Sequence, residues 1–245
     1  MFIFMILTYT FCVSECFRDL EGSTRIINGL KVKEGEFPSM VALLRYKRFI
    51  CGATIFKPNF VLTAAHCVHE KSKYQVQAGI IDLDQVGFQR KVKKKIIHPD
   101  FTYPHLSNDI AILELESALP LIRGKIKCAR LPKYSTKIPH EYGTVIGFGQ
   151  TVDKNNCISH QLMKVKLIPE GCTVAKHFFC LGHPDGDKDT CDGDSGGPFL
   201  INNTLYGITS HGLTPYCGDG TPGVYVKVPY YVRWIRTSAG MKCRT

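Results

Sequence analysis

Several features that define common protein classes are missing from this sequence. After the first thirteen residues no stretch reaches about 18 consecutive apolar residues, so the rest of the chain contains no typical transmembrane helix. The eleven cysteines form no paired Cys-x-x-Cys units, which argues against zinc modules. No RNP, zinc-finger or homeodomain pattern occurs, and no internal repeat or low-complexity linker is visible. These absences disfavour membrane-spanning, nucleic-acid-binding and repeat proteins.

Acidic residues are scarce relative to basic ones. Aspartate and glutamate number 21, against 31 lysines and arginines, and the formal charge is +10. A basic surface favours anionic partners such as heparin-like polymers, while it says little about the fold. The hydrophobic fraction of 44% in a chain of 245 residues is sufficient for a sizeable core. We therefore expect a folded protein.

The N-terminal residues are typical of an exported protein. Residues 1–13 are almost wholly apolar and end abruptly at Ser14-Glu15, although no Lys or Arg precedes them. We expect a signal peptide over residues 1–14, with cleavage after Cys16 as the alternative. Eleven cysteines indicate disulfides and an oxidising compartment. The protein is therefore expected to be secreted and extracellular, without stable insertion in a membrane.

Short β-like runs dominate the rest of the chain. Glycine, proline, asparagine and aspartate separate them, which is typical of an all-β sandwich or barrel. Only residues 230–239 have a helical pattern, with Tyr231, Trp234 and Ile235 on one face. Residues 129–135 are a candidate boundary between two lobes. The predicted strands include residues 40–44, 53–56, 60–62, 74–78, 110–115, 144–147, 161–167, 198–201, 205–209 and 223–228.

Three segments carry chemistry in the order histidine, aspartate, serine. They are VLTAAHC at residues 61–67, NDIAIL at 108–113 and GDSGGP at 193–198. Together they resemble the chymotrypsin/trypsin family of serine proteases, from residue 26 to about the C-terminus. The resemblance implies two packed six-stranded antiparallel β-barrels with a C-terminal helix and a site in the cleft between the barrels. It also implies no cofactor and no metal.

The resemblance assigns His66, Asp109 and Ser195 as a catalytic triad, and chemistry explains these residue types. A serine hydroxyl is a poor nucleophile until a base removes its proton, which imidazole can do near neutral pH. Asp109 would hold the imidazole tautomer and stabilise the imidazolium. The N–H groups of Gly193 and Ser195 would bind the oxyanion, and losing one such donor typically costs about 10²–10³ in rate. The alternative is a non-catalytic binding protein of the same fold that uses its basic surface, and the intact triad argues against it.

Substrate preference follows, by the same resemblance, from Asp189, six residues before the nucleophile. A carboxylate at the floor of the S1 pocket pairs with an Arg or Lys side chain. The expected partners are protein or peptide substrates cut after Arg or Lys and proteinaceous serine-protease inhibitors, and the expected state is a monomer. The resemblance adds four further substrate-binding residues: Thr190, Ser210, Gly212 and Gly223. The two glycines would leave room for a long side chain.

Four positions depart from the family pattern. His211 stands where the family usually has tryptophan, which leaves the preference at S2–S4 open. Asp192 lies at the rim of the S1 pocket and is expected to disfavour acidic residues near the scissile bond. Thr190 replaces the usual serine or alanine and is expected to shift the balance between Arg and Lys. Ile80 replaces the first acidic ligand of trypsin's calcium loop, so no calcium site is expected there.

Residues 25–29, RIING, resemble the family's zymogen cleavage site. Residues 15–25 would then be a propeptide and residues 26–245 the protease domain, with barrels over about 26–130 and 131–245. In the family, the amino group freed at Ile26 pairs with the residue before the nucleophile, here Asp194, and this pairing orders the pocket. Arg25 also fits the enzyme's own expected preference, so either autoactivation or another trypsin-like protease would suffice.

The resemblance further implies a disulfide pattern. It pairs six cysteines, Cys51 with Cys67, Cys172 with Cys180 and Cys191 with Cys217. Cys16 and Cys128 are a fourth candidate pair, which would keep the cleaved propeptide attached. Cys157 and Cys243 are left over; they could pair with each other, with another chain, or rearrange with Cys128.

Three smaller features remain. The basic run RKVKKK at residues 90–95 is either a solvated strand face or an exosite for heparin-like polyanions. Asn202-Asn203-Thr204 is a glycosylation sequon on an expected hairpin turn, with Asn202 as the acceptor. His177, Cys180 and His183 lie close in sequence, but a disulfide cysteine flanked by loop histidines is preferred over a metal site.

Overall fold

In the computed structural model of the chain, residues 29–149 and 159–241 are described, and they form thirteen β-strands and one α-helix. The strands are β1 Leu30–Lys31, β2 Met40–Arg45, β3 Arg48–Lys57, β4 Phe60–Thr63, β5 Tyr74–Ala78, β6 Phe88–Ile97, β7 Ala111–Leu115, β8 Gly143–Gly147, β9 Met163–Glu170, β10 Phe178–Gly182, β11 Pro198–Ile201, β12 Thr204–His211 and β13 Gly223–Lys227. The helix α1 spans Val228–Ser238.

The first six long strands close into an antiparallel barrel. Its order is β2-β3-β4-β7-β6-β5, with β2 also paired to β5. Aliphatic side chains fill it because alternate residues of each strand point inward. Leu43, Ile55, Leu62 and Ile112 are completely buried. Closure leaves no free sheet edge among these strands.

The second barrel has the order β8-β9-β10-β13-β12-β11 and is closed by the pairing of β8 with β9. Its core includes Val145, Leu167, Phe199 and Tyr225, all completely buried. The prediction of two six-stranded antiparallel barrels with a C-terminal helix is therefore confirmed.

Both ends of the described chain cross to the other barrel. Strand β1 precedes the first barrel in sequence, yet it pairs with β9 of the second. Helix α1 follows the second barrel, yet its Tyr231 and Trp234 rings pack on His98 of the first, with ring centroids 5.2 and 4.9 Å apart. Within the described residues, no helix is both long and apolar enough to cross a membrane.

The strand predictions missed three elements for physical reasons. Strand β1 has only two residues and no apolar alternation. Half of strand β6 is lysine and arginine, and these charged residues obscure the alternation of apolar and polar residues that indicates a strand. Its presence agrees with the prediction of a solvated strand face for residues 90–95. Strand β10 has almost continuous apolar character without alternation. The helix begins at Val228 rather than Tyr230 because Pro229 lies in its first turn, where a missing N–H has no effect.

Candidate active site

Asp109 and His66 come together at one end of the first barrel. His66 follows β4 and Asp109 precedes β7, and these two strands are hydrogen-bonded neighbours. The His66 ring Nδ1 lies 2.8 Å from Asp109 Oδ2, and the His66 backbone N–H donates to Asp109 Oδ1 over 2.8 Å. The carboxylate is completely buried, whereas the imidazole is 20% exposed. This geometry fixes Nδ1 as the protonated nitrogen facing the carboxylate and leaves Nε2 for the reaction.

A third donor to this carboxylate comes from the second barrel. The Ser210 hydroxyl donates to Asp109 Oδ2 over 2.6 Å. Ser210 is the penultimate residue of β12 and is almost fully buried. Asp109 is therefore held by side chains from both barrels, which is possible only at their junction.

Ser195 lies in a tight loop that packs against the first barrel. Its carbonyl accepts a hydrogen bond from Gly52 N–H over 2.8 Å. Gly193 and Gly196 have positive φ values of 94° and 75°, which favour glycine. A β-carbon at Gly196 would collide with Thr63 Oγ1 and the Gly52 carbonyl. The loop can therefore approach the strand that leads to His66 only if this position is glycine.

The Ser195 hydroxyl and the His66 imidazole are not hydrogen-bonded to each other in the structure. Within the described residues, the Ser195 hydroxyl forms no hydrogen bond, and His66 Nε2 lies 3.6 Å from Cys67 Sγ. In free enzymes such catalytic contacts are often long and tighten with substrate. The His–Asp half of the predicted triad is thus assembled, while the serine is placed beside it on the neighbouring loop.

The Asp189 side chain is buried, and Gly218 and Gly223 lie next to its carboxylate. Its Oδ1 accepts from Thr190 N–H over 2.7 Å and its Oδ2 from Gly218 N–H over 3.1 Å. Burial raises the pKa of Asp189, and the two backbone donors oppose that rise. A β-carbon at Gly223 would lie only 3.4 Å from Asp189 Oδ1, so glycine keeps the space before the carboxylate open. Only 9% of Asp189 is exposed.

The other residues expected near the S1 pocket differ in burial. Thr190 Oγ1 lies 3.1 Å from the hydroxyl of the buried Tyr225, which ties the residue beside Asp189 to the barrel core. Gly212 follows β12 and is exposed, and Asp192 is also exposed. The Cys191–Cys217 disulfide joins the two loops that contain these residues.

Asp194 points into the protein interior. Its Oδ1 accepts from Gly149 N–H over 2.9 Å and its Oδ2 from Cys191 N–H over 3.0 Å. A β-carbon at Gly147 or Gly149 would collide with this carboxylate. Burial raises the pKa of Asp194 to about 7, although both backbone donors favour the charged form. Within the described residues, no basic side chain pairs with it.

Three of the implied disulfides are present in the structure, namely Cys51–Cys67, Cys172–Cys180 and Cys191–Cys217. Because Cys180 is bridged, its sulfur cannot join His177 and His183 in a metal site. Cys128 is a half-buried free thiol whose pKa is raised by burial. Its suggested partner Cys16 lies outside the described residues, so that pairing stays a prediction.

Several other predictions also fall outside the described residues. These are the signal peptide, the propeptide, Arg25, Ile26, Cys157 and Cys243. Asn202 is described: it is exposed and lies with Asn203 at positive φ in the two-residue turn between β11 and β12.

Sequence reasoning missed a group of residues that hold Asn108, the residue immediately before Asp109. Asn108 has a positive φ of 52°, and its side-chain oxygen accepts from the Tyr231 hydroxyl of α1 over 2.8 Å. Its backbone N–H donates to His177 Nε2 over 3.4 Å. Asn108 is separated from these partners by 123 and 69 residues, so no local pattern could have revealed them.

Two six-stranded barrels with a His–Asp pair and a glycine-bounded serine loop at their junction are typical of chymotrypsin-like serine proteases, one of several folds that carry such a triad. The Trypsin family model matches residues 26–235 of this chain. The chain therefore belongs to the trypsin family of serine proteases.

Curated relatives support this membership over nearly the whole length. The chain is 34% identical over 241 residues to kallikrein 1-related peptidase b11 of Mus musculus, covering 87% of this chain and 89% of the relative. It is 34% identical to tonin of Rattus norvegicus, covering 88% and 90%. It is 35% identical over 221 residues to kallikrein-7 of Homo sapiens, covering 86% of each.

A solved structure also matches the fold. Neuropsin, a serine protease expressed in the limbic system of mouse brain, superposes with a TM-score of 0.79 at 29% identity. The match covers 86% of this chain and 99% of the neuropsin chain. The two-barrel architecture is thus shared over almost all of that relative.

Proposed function

We propose that this chain is a secreted serine endopeptidase that hydrolyses peptide bonds after Arg or Lys and is made as a zymogen cut after Arg25. The observation that carries the proposal is the buried Asp189 carboxylate, which has two backbone donors and no cation among the residues the structure describes. A buried carboxylate without a cation is costly, and a guanidinium or ammonium group offsets that cost. Gly223 leaves open the space in which such a group would lie.

The chemistry proceeds through an acyl-enzyme. Ser195 Oγ attacks the scissile carbonyl carbon while His66 Nε2 takes its proton, and the N–H groups of Gly193 and Ser195 bind the oxyanion. The imidazolium then protonates the leaving amine as the C–N bond breaks. Water, deprotonated by His66, then attacks the acyl carbon, the C–O bond to Ser195 breaks, and the His66 imidazolium protonates Ser195 Oγ. Asp109 remains ionised throughout and stabilises the imidazolium.

Activation follows from the environment of Asp194. Cleavage after Arg25 would free the ammonium group of Ile26, and a buried carboxylate whose pKa is raised to about 7 gains most from such a partner. Asp194 immediately precedes Ser195, and its N–H donates to the Cys191 carbonyl over 3.0 Å. Pairing at Asp194 would therefore order the loop that contains the oxyanion donors.

Covalent labelling of Ser195 tests this proposal. The full chain and its Arg25→Gln variant are each treated with a protease that cuts after arginine, then with a peptidyl phosphonate bearing Arg at P1. We expect rapid labelling of the parent on Ser195 alone, and slow labelling of Arg25→Gln, which cannot be cut at this site. Absence of labelling in the cut parent would overturn the enzymatic proposal in favour of a non-catalytic binding protein.

Secretion and glycosylation belong to the same proposal. Asn202 is exposed in the tight turn between β11 and β12, where its side chain is accessible to modification. Expression in a secreting eukaryotic cell should yield medium-borne protein that loses mass on glycosidase treatment. The Thr204→Ala variant, which retains Asn202 but destroys the sequon, should lack this mass. Retention inside the cell, or a mass unaffected by glycosidase, would contradict this part.

A heparin-binding surface is supported only by part of the basic run. Lys93 pairs with Glu114 over 3.0 Å, and Lys95 donates to the carbonyls of Val68 and Glu70. Lys91 and Lys94 are exposed, and neither forms an ion pair within the described residues. These two lysines are therefore the proposed contacts for an anionic polymer.

A further inference from the structure

A second histidine is connected to the buried carboxylate of Asp109. The Ser210 hydroxyl lies 2.6 Å from Asp109 Oδ2 and 2.9 Å from His211 Nδ1. His66 Nδ1 approaches the same carboxylate oxygen over 2.8 Å. Asp109 Oδ2 is therefore hydrogen-bonded to His66 directly and is linked to His211 through the Ser210 hydroxyl.

The available protons fix the direction of these hydrogen bonds. A hydroxyl carries one proton, and an ionised carboxylate can only accept. Ser210 must therefore donate to Asp109, which leaves its oxygen to accept from His211. His211 consequently carries its proton on Nδ1, because a bare Nδ1 would give the Ser210 oxygen no donor. The chain of donation runs from His211 to Ser210 to Asp109.

The surroundings of His211 keep this arrangement in place. The ring is half-buried and meets Phe178 edge-on, with ring centroids 5.5 Å apart. Burial lowers the pKa of His211; the charge of Asp109 opposes this shift and that of His66 adds to it. Among the described residues, Asp109 and His66 are the charged or titratable groups acting on it, and His177 packs on the same Phe178 ring, with ring centroids 4.5 Å apart. A neutral ring with its proton on Nδ1 is therefore favoured near neutral pH.

We propose that His211 is a positioning residue of the catalytic site, which directs the Ser210 hydroxyl onto Asp109 through its Nδ1–H and thereby holds the carboxylate toward His66. This inference rests on the proposed function. Tryptophan, the usual family residue at this position, has a single N–H on a larger ring and lacks a donor equivalent to the histidine Nδ1–H. The role is indirect, since His211 acts on the reaction only through Ser210 and Asp109.

Three variants separate the N–H of His211 from its ring. In His211→Phe the ring remains against Phe178 but the donor is lost. We expect kcat on an Arg-containing peptide to fall three- to tenfold, the usual effect of one lost hydrogen bond, with less change in KM. In His211→Asn the side-chain amide restores a donor near Nδ1, and kcat should return to within about threefold of the parent. Equal losses in both variants would overturn the proposal.

The pH profile supplies a readout that packing alone would not move. Without the donor, Asp109 is less stabilised and interacts more strongly with the His66 imidazolium. The acidic limb of kcat/KM should therefore shift to higher pH in His211→Phe. In a Ser210→Ala background, His211→Phe should produce no further shift of the acidic limb, because the hydroxyl that links His211 to Asp109 is already absent. An undiminished shift in that background would contradict the proposed path.

Nitrogen NMR on the cut protein tests the proposal without any activity. With ¹⁵N-labelled histidine, assigned through His211→Phe, the neutral ring of His211 should carry its proton on Nδ1. A proton on Nε2 instead would overturn the proposal. If the parent hydrolyses no peptide while the Nδ1 proton is present, the proposed function fails and the hydrogen-bond path stands, so the two failures are distinguishable.

Discussion

Asp109 and Asp194 are both completely buried carboxylates, yet the protein holds them in opposite ways. Asp109, at the end of the first barrel, accepts from the ring and backbone of His66 and from the Ser210 hydroxyl. Asp194, on the Ser195 loop of the second barrel, accepts from two backbone N–H groups among the described residues. Asp109 lies next to His66, whose imidazole would become cationic in the proposed mechanism. Asp194 has only neutral donors among the described residues.

Under the proposed function, this difference separates a carboxylate whose surroundings folding completes from one that proteolytic cleavage would complete. A buried anion with neutral donors alone favours its protonated form, as the pKa of Asp194 near 7 indicates. Asp189 lies between these two cases, because its cation would arrive with each substrate. Three carboxylates of one site would thus receive cations from the chain, from the substrate and from proteolytic processing.

The largest expected effect on kcat comes from replacing Asp109 with a neutral side chain. Asp109→Asn should lower kcat about 10⁴-fold, the size found for this change in a related triad protease, because the amide favours the wrong imidazole tautomer. The measurement is kcat for an Arg-containing peptide at pH 8 with the cut protein. Ser210→Ala, which removes only one donor to Asp109, is the matched control and should lose far less. A loss of kcat below tenfold in Asp109→Asn would contradict the assignment of Asp109 to the catalytic triad.

Asp194 should dominate the pH dependence of stability in the uncut protein. Its folded pKa of about 7 exceeds the ordinary value of 3.8, so the folded state retains a proton that the unfolded state releases between these values. The stabilising contribution is fully present below about pH 4 and is lost as the pH rises through about 7. Between pH 5 and 8 the loss should be roughly 3 kcal/mol.

Urea unfolding of two uncut proteins measures this contribution. Arg25→Gln should lose roughly 3 kcal/mol more between pH 5 and 8 than Arg25→Gln/Asp194→Asn, whose amide does not titrate. The cut parent should lack this excess loss, since the freed ammonium pairs with the charged form. Parallel pH curves for the two uncut variants would show that Asp194 is already paired before cleavage.

The smallest effect should come from the exposed lysines of β6. Replacing both Lys91 and Lys94 with Ala should weaken heparin binding ten- to thirtyfold at low salt, at about 1 kcal/mol for each lysine near an anionic surface. Binding by the parent should also weaken as salt rises. Lys93→Ala is the matched control, because that ammonium is already paired with Glu114. An equal loss in this control would contradict the selection of Lys91 and Lys94.

Much of the fold and of the central site could be predicted from the sequence because the family motifs are local and ordered. VLTAAHC, NDIAIL and GDSGGP each place one side chain at the end of a strand, and the strands adjacent to them were expected. The supports of the site could not be predicted in this way. The Asn108 side-chain oxygen accepts from the Tyr231 hydroxyl 123 residues away, and Lys95 ties β6 to a carbonyl 27 residues away. Such contacts depend on how the barrels pack, which no short pattern records.

Substrate preference tests the central claim most directly, because it depends on the burial of Asp189. The measurement is kcat/KM of the cut protein on three peptides that differ only in Arg, Lys or Phe before the scissile bond. Since breaking a buried ion pair costs about 3–5 kcal/mol, Arg and Lys should exceed Phe by about 10²–10⁴, and Asp189→Ser should abolish this advantage. Equal or better cleavage after Phe by the parent, with Ser195 still labelled, would contradict the account.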